Sequence, residues 1–153
     1  MKLGFLSKLF EGALSIEKTY NDCDKAINRL REYNEKIQKM TEDGVDAKSF
    51  SAEEKPALDE VVNHAITNAE QLVSKKSGRN WPGVFREMHK NLGSIYFEQH
   101  NYDRVREECE HLKQYGEVGR QDAEELLQQI KSKETGNVGP PENAAESNAD
   151  SVQ

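Results

Sequence analysis

The sequence predicts an all-α fold, a bundle of about five helices whose last member serves as a C-terminal cap. Three observations carry this. Apolar residues recur at alternating steps of three and four along most of the chain, the period of one helix face. Proline occurs four times in 153 residues, and two of those form Pro140-Pro141, so the rest is nearly free of helix breakers. No segment shows the Val/Ile/Thr alternation between close-spaced turns that a strand meander needs. The length is that of one domain. A composition of 35% apolar and 32% charged residues suits a thin bundle better than a thick layered core.

The first helix is predicted over residues 6 to 41. Leu6, Leu9, Ala13, Ile16, Tyr20, Cys23, Ile27, Leu30, Asn34 and Ile37 follow heptad spacing. Asn34 is polar in that seam, where such a residue can fix register. Phe5, Ala26, Tyr33 and Met40 widen the stripe, which favours packing within one bundle over a narrow two-stranded coiled coil. Thr41 to Phe50 is a polar connection containing Gly44. Ser51-Ala-Glu-Glu54 then has capping-box spacing, with Pro56 as the alternative first helical residue. The second helix runs to about Lys76 with Leu58, Val61, Val62, Ala65, Ile66, Ala69, Leu72 and Val73 on one face. Ser77 to Gly83 breaks it, because Gly and Pro together set a turn.

A third helix over 84 to 99 buries Phe85, Met88, Leu92, Ile95 and Tyr96. After a tight turn at His100-Asn101, a fourth runs from Tyr102 to Tyr115 with Val105, Cys109 and Leu112 inward, and Gly116 ends it. The fifth, 119 to 132, turns Ala123, Leu126, Leu127 and Ile130 inward. Its other face, which includes Asp122, Glu124 and Glu125, is polar enough to meet water. Three segments follow: an amphipathic stretch over 1–14, a helical domain over 15–133, and a tail over 134–153. The tail is rich in small polar and acidic residues and too poor in apolar ones to order itself, so disorder is expected there.

Residues 86 to 117 resemble a single tetratricopeptide repeat, a helical-repeat unit. That pattern places Leu-Gly on the first helix, an aromatic three residues later, an aromatic at the next helix's start, and small residues beyond. Here those places hold Leu92-Gly93, Tyr96, Tyr102, Val105, Cys109 and Leu112. His89 stands where the repeat usually has a large apolar residue, Val105 where it prefers Ala, and Glu117 where Pro often closes it. The resemblance covers about a fifth of the chain. One repeat cannot stand alone, so the first two helices must supply the remaining core. It implies a protein-interaction module of the adaptor, chaperone or regulatory-subunit kind. Lys90, Asn91, Ser94, Phe97 and Glu98 would then face the partner on the concave side, with Lys90 and Asn91 at the place where some family members hold a peptide carboxylate.

Charge and motif chemistry narrow the function classes. A net charge of −7 argues against general nucleic-acid binding, although Lys75, Lys76, Arg79, Arg86 and Lys90 cluster around Trp81. His64, His89, His100 and His111 lack the i, i+4 pairing of a helical metal site, and His89 is expected to be a packed, hydrogen-bonded residue. There is no phosphate loop, nucleophile elbow or HExxH motif. Glu107-Glu108 and Glu124-Glu125 read as surface charges. Neither an enzyme nor a cofactor is expected. Cys23 and Cys109 fall on apolar stripes and are expected as buried thiols. Lys8 and Glu11 interrupt the apolar start, which excludes a signal peptide, and a cytoplasmic location is the expectation. Two other readings stay open. Leu3, Phe5, Leu6, Leu9 and Phe10 could contact a membrane surface with Lys2 and Lys8 at headgroup level. The first helix could also build a homo-oligomer.

Overall fold

The structure, a computed structural model, describes residues 2–74 and 81–135, with side chains from Ser15 onward. It is all-α. Five helices follow one another: α1 (Lys2–Glu42), α2 (Lys48–Val73), α3 (Pro82–Glu98), α4 (Tyr102–Leu112) and α5 (Gly116–Glu134). No strand occurs among the described residues.

Side-chain pairings fix how the helices lie. Asp22 on α1 meets His64 and Asn68 on α2, while Tyr33 meets Ser51, so these two helices are antiparallel. His89 with Glu108 and Phe97 with Tyr102 make α3 and α4 antiparallel as well. Tyr20 lies beside Glu87, and Asn34 beside Glu98, which sets α1 and α3 parallel. Arg86 with Asp122, and Gly93 against Leu126, set α3 and α5 parallel. Thus α1, α3 and α5 point one way, α2 and α4 the other, and α3 packs against all four of the rest.

The apolar periodicity becomes one continuous core. Cys23, Ala26, Ile27 and Leu30 of α1 and Leu58, Val62, Ala65, Ala69 and Leu72 of α2 meet Met88, Leu92, Ile95 and Tyr96 of α3. Val105, Cys109 and Leu112 of α4 and Ala123, Leu126 and Ile130 of α5 close the other side. Phe85 is buried too. Met88, Leu92, Ile95 and Leu112 lose essentially all contact with water, and truncating any one of them to Ala would cost about 2–5 kcal/mol. Both cysteines are free and buried.

Helix ends differ from the sequence expectation where local bonds decide them. α2 starts at Lys48, not at Ser51, because Asp46 Oδ1 accepts the Lys48 amide at 3.0 Å. The Ser51 hydroxyl instead meets the Tyr33 hydroxyl at 2.6 Å, so the capping-box spacing is not used. Pro56 falls inside α2 on its exposed side, where the Ala52 carbonyl it leaves unpaired can face solvent. α4 stops at Leu112 because Gln114 and Tyr115 donate to the carbonyls three residues back, a tightened turn that leads into Gly116 at φ 71°. Glu134 is the last residue of α5 rather than part of a tail, and its carboxylate accepts from Arg106 at 2.9 Å. The remaining expected tail, 136–153, lies outside the described residues. The boundary drawn after residue 14 falls within the unbroken α1.

Two backbone features set the short turns. At the end of α3, Asn101 donates to the Tyr96 carbonyl and His100 to that of Phe97, both at 2.9 Å. This is a Schellman closure, with His100 in the left-handed place at φ 63°, where glycine is usual. At the start of α5, a Cβ on Gly119 would collide with the Leu112 backbone carbonyl and come within 2.9 Å of Tyr115 Cβ. Among the described residues, no helix is long and apolar enough to cross a membrane.

These positions give opposite mutational signs. His100→Gly is expected to raise unfolding stability by about 1 kcal/mol by relieving the left-handed strain of an L side chain. Gly119→Ala should lower it by about 1–3 kcal/mol, since backbone must move to admit the methyl group. Urea denaturation followed by helical circular dichroism reads both, and a shift of the same sign in the two would contradict the packing described.

Candidate functional site

The helix that the repeat-like pattern singles out, α3, meets its neighbours through polar pairs as well as apolar ones. Its heptad-like stripe buries one side, and the residues between the stripe positions reach the flanking helices. On the α5 side, Asp122 is buried and accepts from Arg86 Nη1 at 2.6 Å and from Lys90 Nζ at 3.1 Å. Lys90 also lies 3.7 Å from Glu125. On the α1 side, Asn34 Nδ2 donates to the Glu98 carbonyl at 2.8 Å, covering one of the acceptors that a helix end leaves open. The Glu98 carboxylate takes Arg31 Nε at 3.0 Å and Asn34 at 3.3 Å.

Toward α4, His89 and Glu108 form a buried pair, Nδ1 to Oε1 at 2.7 Å. With the carboxylate ionised it can only accept, so Nδ1 carries the hydrogen. The His89 ring stacks on His111 with centroids 4.6 Å apart. Toward α2, the Tyr96 hydroxyl donates to Glu70 at 2.9 Å, and Arg104 Nη2 bonds both Glu70 and the Tyr96 oxygen while its guanidinium lies over the Tyr96 ring. Burial, followed by the Glu70 carboxylate, pushes the Tyr96 hydroxyl well above the usual tyrosine range. Burial and Glu87 likewise push Tyr20 up to about 12. The thiols of Cys23 and Cys109 are pushed up to about 12 and about 11, chiefly by burial, which makes them poor nucleophiles at neutral pH.

The five residues expected to face a partner are therefore divided. Lys90 and Glu98 are held by α5 and α1 respectively. Asn91 and Ser94 lie between them, half-buried, and their side chains have no hydrogen-bond partner among the described residues. Phe97 leans on Tyr102 of α4, ring centroids 5.7 Å apart, and packs against the core. Glu98 also lines a groove of about 360 Å³, whose walls include Leu30, Tyr33, Leu58, Gln99 and His100. The expected carboxylate pair, Lys90 with Asn91, is thus half engaged, because Lys90 already faces two acidic side chains of α5.

Glu108 and Asp122 correct the sequence reading, since both were expected to meet water and both are buried. A signal was present. Glu108 stands three residues after Val105 and four before Leu112, and Asp122 stands four before Leu126, so each falls on its helix's apolar stripe. His89 is buried and hydrogen-bonded as expected. Lys75, Lys76 and Arg79 lie outside the described residues, as do the side chains of Leu3, Phe5, Leu6, Leu9 and Phe10. Arg86 and Lys90, the other cations of the cluster, are taken up by Asp122. Among the described residues, no three His, Cys, Asp or Glu side chains stand together as a metal site. Compared with known proteins, the chain matches no family model, no curated protein and no solved structure.

Removing Glu108 would leave the buried His89 ring without its partner. Glu108→Ala is expected to cost about 2–3 kcal/mol in chemical denaturation, and Glu108→Gln less than half of that, because an amide oxygen still accepts from Nδ1. Equal costs for the two variants would show that the side-chain volume, and not the hydrogen bond, is what matters there.

Proposed function

We propose that this protein is a non-catalytic interaction module, an adaptor or regulatory subunit, that holds a segment of a partner protein along α3 between α1 and α5. One observation carries the reading. Asn91 and Ser94 form a half-buried polar strip open to water or a ligand, bounded by two charged residues already fixed in place. Half-buried polar groups without protein partners are costly unless water or a ligand serves them. Glu98, which bounds the strip, also lines a groove whose walls combine Leu30, Tyr33 and Leu58 with Lys55 and Asp59.

The resemblance to a tetratricopeptide repeat supports the same face. In such arrays the first helix of each pair lines the concave surface, and here α3 carries the strip while α1 and α5, which run the same way, flank it. Affinity would come from apolar side chains of the partner set against the groove walls, with Asn91 and Ser94 giving hydrogen-bond register. Lys90 orients through Asp122, not as a free cation, and Phe97 supports the strip from behind.

That division selects the variant to test. Lys90→Glu would set a third acid against Asp122 and Glu125, and Phe97→Ala would open the packing on Tyr102, so both mix stability with binding. Ser94→Arg places bulk on the strip itself. Affinity capture from native lysate is expected to recover a partner with the parent and at least about tenfold less of it with Ser94→Arg at unchanged helicity, a difference of about 1.4 kcal/mol. Equal recovery by the two would remove this face as the site.

A further inference from the structure

From the register of its helices, we infer that the end of the bundle where α1, α3 and α5 begin is a docking surface for an anionic lipid bilayer. The pairing of Tyr20 with Glu87, and of Asn34 with Glu98, puts Pro82, the start of α3, level with about residue 15 of α1. Ser15, Lys18 and Thr19 share a groove with Gln71 and Leu72, so α2 finishes at that level too. Arg86 beside Asp122 brings the start of α5 to the same level. Residues 2–14 of α1 are helical and continue past this level, about 20 Å further at 1.5 Å per residue.

The sequence of that extension is what a bilayer surface selects. On a helix of 100° per residue, Leu3, Phe5, Leu6, Leu9, Phe10, Ala13 and Leu14 fall within about half of the circumference, with Lys2 at its first turn among them, and Ser7, Lys8, Glu11 and Ser15 fall on the other half. With Lys2 and Lys8 against Glu11, the segment is net positive in a chain of net charge −7. That polarity suits an anionic surface, which repels the acidic body and attracts the extension.

A second observation comes from the described side chains. Val45, Trp81 and Val118 are the large apolar residues left well exposed, and two of them, Trp81 and Val118, stand at the level where the extension leaves the bundle. Trp81 immediately precedes Pro82, and an indole at that place fits the headgroup layer, where amphipathic rings settle. The amphipathic helical extension and the exposed indole, distant along the chain, thus share one end of the fold.

Trp81 is the single tryptophan, so it reports its own environment. The test is flotation of the full chain with vesicles of phosphatidylcholine alone or mixed with phosphatidylserine, read beside Trp81 emission. Binding roughly fivefold or more greater to the phosphatidylserine vesicles, reduced by salt and accompanied by a blue shift, is expected. Leu6→Glu with Phe10→Glu should abolish it at unchanged bundle stability, and Val45→Glu at the opposite end should leave it intact. Failure to float with either vesicle, binding that the Leu6/Phe10 pair does not affect, or a sedimenting dimer that dissociates when that pair is changed would each overturn the proposal; the last would assign the extension to a second copy.

Discussion

Polar groups on α3 lie between its apolar ones, and together they reach all four neighbouring helices. Asn34 of α1 takes the Glu98 carbonyl, Glu70 of α2 the Tyr96 hydroxyl, Glu108 of α4 the His89 ring, and Asp122 of α5 both Arg86 and Lys90. The apolar core between these helices is held by burial, which has no preferred direction and would tolerate sliding by a turn. The polar pairs do not tolerate it. A slip of one residue would strand a buried carboxylate or imidazole, at a cost comparable to much of a small domain's net stability. Packing supplies the free energy, and the pairs supply the register.

This arrangement explains why α3 can carry an exposed strip while lying at the centre of the bundle. Its apolar stripe faces α2 and α4, and its flanks are held by α1 and α5. What remains is a narrow line through Asn91 and Ser94, bordered by Lys90 and Glu98. Gly93 lets α5 come close behind that line, since a Cβ there would sit 2.7 Å from Leu126 Cδ1. The close contact is to the fifth helix, and Glu108 Cβ on α4 is 3.7 Å away.

The number of helices, their faces and nearly every core residue could be read from the three-and-four spacing, because burial acts on each helix locally. Phe85, Met88, Leu92, Ile95 and Tyr96 illustrate this. Helix ends were less legible: Ser51 had the spacing of a cap, but Tyr33, eighteen residues away, competes for its hydroxyl. Glu108 and Asp122 were hardest. Their partners lie nineteen and thirty-six residues distant, and spacing alone assigns a charged residue to water unless a counter-charge is known to meet it. The candidate face shows the same limit. Asn91 and Ser94 remain open, whereas Lys90 and Glu98, equally exposed on a helical wheel, are engaged by helices whose positions the local pattern does not reveal.

Held from four sides, α3 opens only when the whole bundle does. Native-state amide hydrogen exchange, resolved by residue, measures this directly. Amides from Met88 to Tyr96 are expected to exchange at the free energy of global unfolding, together with those of α4 around Cys109. Exchange of the α3 amides through a lower-energy opening, while α2 or α5 stays protected, would contradict it.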